Sequence, residues 1–191
     1  MKLVIITALS TLLLLGCSRT SEIKVYNDTD SSINVSLNDT SQLLFAGQMV
    51  EEEFAINHFV LFSETLDVPL HYDESLYVSG RNKAVRLKAN ETKKIHITFD
   101  RAGMQVRNIS SNVGVMDVYI QNPDTGKLSD DLLESVISPN HIELISVPEK
   151  SGYVVITDVF GAQYTSAAIL ENEVGITKEV SFDGFEVVVL E

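Results

Sequence analysis

VRNISSNVGVMDVYIQ, residues 106–121, decides the fold. It reads as strand, polar turn, strand: Asn108 to Asn112 supply turn formers, and Met116, Val118 and Ile120 then alternate with Asp117, Tyr119 and Gln121. Residues two apart line one face of a strand, so this spacing marks a half-buried strand rather than a helix. VYNDTDSSINVSLN, residues 25–38, repeats the design with Ile33, Val35 and Leu37. The two copies are offset by 81 residues at Val25 and Val106, and by 83 after the turn. Self-similarity at this distance points to a structural unit used twice.

Outward from these stretches the alternation continues, in Val85-Leu87, Ile95-Ile97-Phe99 and Val180-Phe182. Tyr153 to Ile156 and Phe185 to Leu190 are continuous apolar runs, as in strands covered on both faces. Turn signals separate the runs at Asn27-Asp28, Asn38-Asp39, Ala89-Asn90, Asp124-Thr125-Gly126 and Asp183-Gly184. Asp183-Gly184, set between short apolar runs, predicts a two-residue hairpin. The expected class is all-β: two tandem small antiparallel β-sandwiches with at most one or two short helices. The first unit is expected at residues 23–100 and the second at 101–191, each ending in a hairpin, Val85 to Phe99 and Val180 to Leu190. One continuous sandwich is the rival reading. A helix is expected at Ser129 to Val136, where Ser129 would cap, Asp130 and Asp131 suit the positive end, and Leu132, Leu133 and Val136 form an apolar face. Residues 41–49 read equally as helix or strand. Units this small bury only about 60% of the surface that the unfolded chain exposes. With one cysteine there is no internal disulfide, so packing between the units is expected to add stability.

Val106-Arg107-Asn108-Ile109-Ser110, Met116-Asp117-Val118-Tyr119, and Tyr153 to Thr157 followed by Gly161 resemble an uncharacterised family of exported bacterial domains. Its members open V-R-x-x-N-A-S, continue to V-D-V-Y and later carry Y-x-V-x-V-T-x-x-G. The resemblance covers about 85 residues of the second half. It implies Ig-like sandwich modules, often in tandem on lipoproteins, with no established activity and no assigned site residues. The first half matches only in its opening strands, where Asn34 stands in place of the family's Asp.

The amino terminus carries an address. Lys2 precedes an apolar run from Leu3 to Leu15, too short for a transmembrane helix of about 20 residues but right for a secretory signal. The run ends Leu14-Leu15-Gly16-Cys17, which resembles the lipobox of bacterial lipoproteins. That resemblance implies cleavage after residue 16, a thioether to diacylglycerol on Cys17, and several acyl chains that together anchor stably. Ser18 is not the Asp that retains many lipoproteins in the inner membrane, so the outer membrane is the expected location. Residues 17–22 would form the acylated tether. Five Asn-x-Ser/Thr triplets start at Asn27, Asn34, Asn38, Asn90 and Asn108. In a bacterium they read as polar residues near turns and strands.

Composition excludes several chemistries. The whole chain has 14 basic and 27 acidic residues, and loss of Lys2 with the signal makes a net −13 into −14. Phosphate neutralisation needs the opposite excess, so nucleic acid is not an expected partner. A single cysteine cannot build a multi-thiolate metal site, and His58, His71, His96 and His141 show no H-E-x-x-H spacing. There is no G-x-S-x-G elbow and no phosphate-binding glycine loop. Ser21-Glu22-Ile23-Lys24 matches S-x-x-K, but without its companion motifs. The acidic clusters (Asp28 with Asp30, Glu51 to Glu53, Asp124 with Asp130 and Asp131) lack the ligand pattern of a calcium loop and read as solvated surface. Without Trp, sugar stacking has only scattered tyrosines to use; Tyr119 reads either as exposed or as packed under a loop. No cofactor or metal is expected.

One charge feature stands out. Arg81, Lys83, Arg86, Lys88, Lys93 and Lys94 place six basic residues within 14 positions, while the chain from Arg101 onward has 5 basic against 14 acidic residues. Three readings stand. The ridge is a solvated hairpin whose charges resist edge-to-edge pairing; or it docks on the acidic second unit; or it binds an anionic surface such as lipopolysaccharide phosphate or a polysaccharide. The function expected from sequence is that of a membrane-anchored, non-catalytic binding module of the bacterial envelope, with an envelope protein or polysaccharide as partner. The alternatives are a structural component of an envelope assembly and, less favoured, an enzyme with a site between the units.

Overall fold

A computed structural model describes residues 17–58, 64–148 and 150–190. These are all-β, with no helix among them, and form four small sheets in two compact units. One unit takes the chain as far as Asp73 together with Gly80–Thr98; the other takes Glu74–Ser79 together with the chain from Phe99 onward. The signal and lipobox residues before Cys17 lie outside the described residues.

The first unit contains β1 (Cys17–Asn27), β2 (Ile33–Leu37), β3 (Thr40–Leu44), β4 (Met49–His58), β5 (Thr65–Tyr72), β6 (Arg81–Lys88) and β7 (Thr92–Ile97). They form sheets in the orders β4-β1-β7 and β3-β2-β5-β6. Alternation decides what goes inside: Ile23, Val25, Val35, Leu37, Leu70, Leu87 and Ile97 are buried, and their polar neighbours face out.

The second unit contains β8 (Arg101–Asn108), β9 (Val115–Gln121), β10 (Ile142–Pro148), β11 (Gly152–Asp158), β12 (Gln163–Leu170), β13 (Thr177–Phe182) and β14 (Val187–Leu190), in the orders β10-β8-β13-β14 and β12-β11-β9. Met104, Val106, Val118, Ile156, Leu170, Val180 and Phe182 build its core. The strand course repeats that of the first unit. β1 pairs antiparallel with β4 and parallel with β7; β8 pairs antiparallel with β10 and parallel with β13. Likewise β2-β5-β6 corresponds to β9-β11-β12. The additions differ: β3 extends one sheet of the first unit, and β14 extends one sheet of the second.

Four expectations are corrected. Residues 17–22, read as a tether, are the first half of β1 and pair with residues 53–58 of β4, from Cys17 opposite His58 to Glu22 opposite Glu53. Val85 to Phe99 is not a hairpin: β6 and β7 belong to different sheets, and the turn between them crosses from one to the other, with Asn90 at φ 61°. Both strands alternate because both face the same core, from opposite sides. Ser129 to Val136 is not helical. Its intended cap groups serve the edge of β9 instead: Ile120 donates to Ser129 Oγ (3.0 Å), Val118 donates to Asp131 Oδ1 (3.0 Å), and Leu132 donates to the Val118 carbonyl (2.9 Å). Leu132 and Leu133 still pack on the core, so the apolar pattern was real while the helix was not. Finally, the hairpin of β13 and β14 is present, but Phe182 pairs with Val187, so its loop is Asp183 to Glu186 rather than two residues. Residues 41–49 contain most of β3, resolving their ambiguity toward strand.

Glu74–Ser79 groups with the second unit for local reasons. Tyr77 hydrogen-bonds Thr177 Oγ1 (2.5 Å) and meets the Phe99 ring edge-on at 5.3 Å. Ser146 Oγ donates to the Leu76 carbonyl (2.8 Å).

Candidate functional site

Cys17 is the first residue of β1 and already lies in the β1–β4 ladder. The one residue that the lipobox chemistry would modify is thus part of a strand, opposite His58 of β4. Just beyond it, Ser21 is buried and donates to the Lys88 carbonyl (2.8 Å), which ties this end of β1 to β6.

The basic residues lie on two edge strands, β6 and β7, one in each sheet of the first unit. Alternation divides them. Arg86 and Lys88 point outward from the four-stranded sheet, while Arg81 and Lys83 share the side of β6 that carries Val85 and Leu87. On β7, Lys94 lies opposite Lys24 on the outer face, whereas Lys93 lies opposite the buried Ile23. The six residues thus do not form one face. Arg86 is held by Asp67 through two bonds, Nε–Oδ1 at 2.9 Å and Nη2–Oδ2 at 3.0 Å. That bond holds the Asp67 carboxyl below its usual range and raises the guanidinium. Lys93 Nζ donates to the Arg86 carbonyl and lies 3.8 Å from Glu91. Arg81, Lys83, Lys88 and Lys94 have no ion-pair partner among the described residues.

The other candidates resolve as structural contacts. His96 stacks on Tyr26 (4.7 Å between ring centres) and its Nδ1 lies 2.6 Å from Asp28. His71 lies 3.0 Å from Asp73, and His141 meets the Pro139 carbonyl. Among the described residues, no three of His, Cys, Asp and Glu are grouped to hold a metal ion. In the Asp124 turn, the Asn122 side-chain oxygen takes the N–H groups of Asp124 and Thr125 at 3.0 and 2.9 Å. Tyr119 is half-buried beside the Asp131 stretch; that partial burial, then Asp117 and Asp131, pushes its phenol up. A groove of about 660 Å³ in the second unit is lined by Glu74, Arg101, Asp131, Leu132, Glu143 and Leu144, with Arg101 paired to Glu74.

Two sets of residues escaped the sequence reading. Asn27 and Asn108 are fully buried at equivalent points of the two units. Asn27 Nδ2 donates to the carbonyls of Ser31 (2.7 Å) and Leu44 (3.0 Å), and its Oδ1 accepts from Thr29 N and Oγ1. Asn108 Nδ2 reaches the carbonyls of Val113 (2.8 Å), Ile137 (3.1 Å) and Ser138 (3.2 Å), and its Oδ1 accepts from Ser110 N. The Asn-x-Thr and Asn-x-Ser triplets that begin here are internal latches; their position at the end of both repeated opening strands was the available signal. The second set is Phe160 and Phe185, which are 80% and 86% exposed. Each is an aromatic beside a glycine in a tight turn.

No family model matches the chain. No curated protein matches it either. Among solved structures, a putative cell adhesion protein from Bacteroides ovatus aligns with 91% of this chain and 96% of its own, at 10% identity and a TM-score of 0.36. A putative polysaccharide binding protein from Bacteroides thetaiotaomicron aligns with 90% and 95%, at 11% identity and 0.35. The Bacillus anthracis TIE protein aligns with 91% of this chain, which spans 34% of that protein, at 10% identity and 0.31. Similarity at this level assigns neither family nor function to this chain.

Proposed function

We propose that the protein is a lipoprotein of the bacterial outer membrane, anchored through Cys17, that acts as a non-catalytic interaction module. The observation that carries the reading is that the chain's only cysteine closes the lipobox-like Leu14-Leu15-Gly16; that same cysteine is paired with His58 in the β1–β4 ladder. An acylated Cys17 would hold the first sheet directly at the bilayer with no free spacer. Several acyl chains on one residue are enough for stable anchoring. An envelope protein or a polysaccharide is the proposed partner. In this reading the basic residues guard the β6 and β7 edges: charges that point inward on an edge strand oppose pairing with another chain's strand.

The test is metabolic labelling with radioactive palmitate. The native protein takes up label and partitions into detergent, and Cys17→Ser does neither. An intact, unmodified amino terminus on the native protein, found by mass spectrometry, overturns the anchor.

A further inference from the structure

The second unit gathers four loops at one end. β8 and β13 run toward that end in parallel, β11 ends there, and β9 and β10 begin there. Residues 109–114, 136–141, 159–162 and 183–186 therefore meet. Val159 N donates to the Gly114 carbonyl (3.1 Å), and Ile109 N to the Phe182 carbonyl (2.8 Å). A Cβ placed on Gly114 would touch Val159 (2.9 Å) and Val136 (3.4 Å), and one on Gly184 would touch Ser110 (3.3 Å).

This end is poor in charge and holds the two most exposed of the large apolar side chains among the described residues. Ile109 (50%), Val136 (52%), Val159 (42%), Phe160 (80%) and Phe185 (86%) are exposed there. The only charged side chains in the four loops are Asp183 and Glu186, and there is no Lys or Arg. Exposed apolar groups clustered in this way mark an interaction site. The two phenylalanines are presented in the same manner. Asp158 is buried, and its Oδ1 accepts from Phe160 N and Ala162 N, both at 2.9 Å. Asp183 Oδ1 accepts from Phe185 N (2.8 Å) and Glu186 N (2.9 Å). The turns are thus fixed with their rings outward, and little ordering is left to be done on contact.

We propose that this loop cluster inserts its two phenylalanine rings into the interface of a zwitterionic lipid bilayer. A bilayer interior offers no hydrogen-bond partners, so any segment that enters it must satisfy its own backbone. The N–H groups of Ile109, Val159, Phe160 and Phe185 all have acceptors within the unit. Protruding rings need no matching pocket in a fluid lipid phase. The absence of cations leaves nothing to attract anionic headgroups, and the chain's negative charge opposes them. This inference goes beyond the anchor and does not depend on Cys17.

The chain contains no Trp, so a single introduced indole reports from one place. The test uses the chain from residue 17 with Cys17→Ser, so that no acyl group contributes, in three forms: Phe160→Trp, Phe185→Trp and, as the control in the first unit, Phe45→Trp. Vesicles of phosphatidylcholine and phosphatidylethanolamine should blue-shift the first two and protect them from acrylamide, and leave the third unchanged. Phe160→Ser with Phe185→Ser should lower co-sedimentation with the vesicles by roughly tenfold or more. Both rings are exposed, so an unchanged circular dichroism spectrum is expected for that variant. Unshifted emission, an equal shift of the Phe45 reporter, or undiminished sedimentation of the double Ser variant overturns the proposal. So does binding that appears only when phosphatidylglycerol is added at low salt, which would put the contact on the basic residues of the first unit.

Discussion

On the outer face of β1 stands Lys24, between Glu51 of β4 and Lys94 of β7; at the equivalent point of β8 stands Gln105, between Leu144 of β10 and Glu179 of β13. One row along, Met49, Tyr26 and His96 correspond to Ile142, Arg107 and Ser181. The first face is a charge network in which Lys24 Nζ lies 2.9 Å from both Glu22 and Glu51. The second keeps one ion pair, Arg107 to Glu179 at 2.8 Å, flanked by Ile142 and Leu144, about half exposed. Inside, the match is close: Val25 and Val106 are buried, and Asn27 and Asn108 end the same strand with the same task. What the duplication holds fixed is the inward row and the buried amide; what it leaves free is the outward row and the loops. After Asn27 the loop carries Asp28 and Asp30, whereas after Asn108 it carries Ile109. Function is to be sought where the units differ.

The largest effect should come from a position where the two cores differ in volume. Phe182 lies opposite Asn108, and Ile97 lies opposite Asn27, so they are counterparts. Both are essentially fully buried, but Phe182 also packs its ring on Tyr164 at 5.1 Å. Phe182→Ala should destabilise the second unit by about 3–5 kcal/mol, and Ile97→Val the first by about 1 kcal/mol. Hydrogen exchange read unit by unit checks this. Equal loss of protection in both units after Phe182→Ala would mean that they unfold as one body, and the comparison would fail.

The buried amides come next. Removing a partner from buried polar groups costs about 1–3 kcal/mol per group left unsatisfied. Each amide makes four hydrogen bonds, and some of its partners keep a second one: beside Asn108 the Ile137 carbonyl also takes Val115 N (2.9 Å) and the Ser138 carbonyl takes His141 N (3.2 Å), and beside Asn27 the Thr29 Oγ1 also reaches the Ser31 carbonyl (3.2 Å). Asn108→Ala and Asn27→Ala should therefore each cost about 2–3 kcal/mol, measured by urea unfolding. A loss in one unit with none in the other would show that the latch is not what the units share.

Period-2 alternation revealed the strands and the inward face, and the 81-residue offset revealed the duplication. It could not tell a hairpin from a crossing between sheets, because Val85-Leu87 and Ile95-Ile97 alternate identically in either case. Ser129, Asp131 and Leu132 satisfy a helix-start pattern and an edge-covering pattern equally, and only the proximity of β9 decides between them. The basic residues were visible as a cluster along the chain, yet pairing splits them between two sheets and two sides of each strand. Phe160 and Phe185 were hidden because their exposure depends on four loops meeting, which no local pattern records.

A smaller effect should separate guarded edges from decorated faces. Arg81, Lys83 and Lys93 sit on the inward sides of β6 and β7, whereas Arg86 and Lys88 face outward. Replacing the first three with Thr should leave folding intact and promote self-association, seen by light scattering at raised concentration. Reversing Arg86 and Lys88 to Glu should neither associate the protein nor measurably change its unfolding midpoint, because exposed pairs contribute little. Association caused by the second change and not the first would assign the edge-guarding role to the outer face.

The smallest expected effect isolates a loop that the first unit lacks. Bonds from the N–H groups of Glu186 and Phe185 hold the Asp183 carboxyl below its usual range. A carboxyl depressed in the folded state contributes stability above its unfolded pKa, and that contribution disappears as pH falls through the folded pKa. Acidification below the ordinary carboxylate range should therefore loosen the β13–β14 loop, raising amide exchange at Phe185 and Glu186 while the β2–β3 turn, closed by Asn38 at φ 51°, stays unchanged. Asp183→Asn keeps an oxygen acceptor for both amides but cannot titrate, so the acid dependence at those two amides should vanish in that variant. If it persists, the proton acts elsewhere, and the loop that presents Phe185 is not held by Asp183.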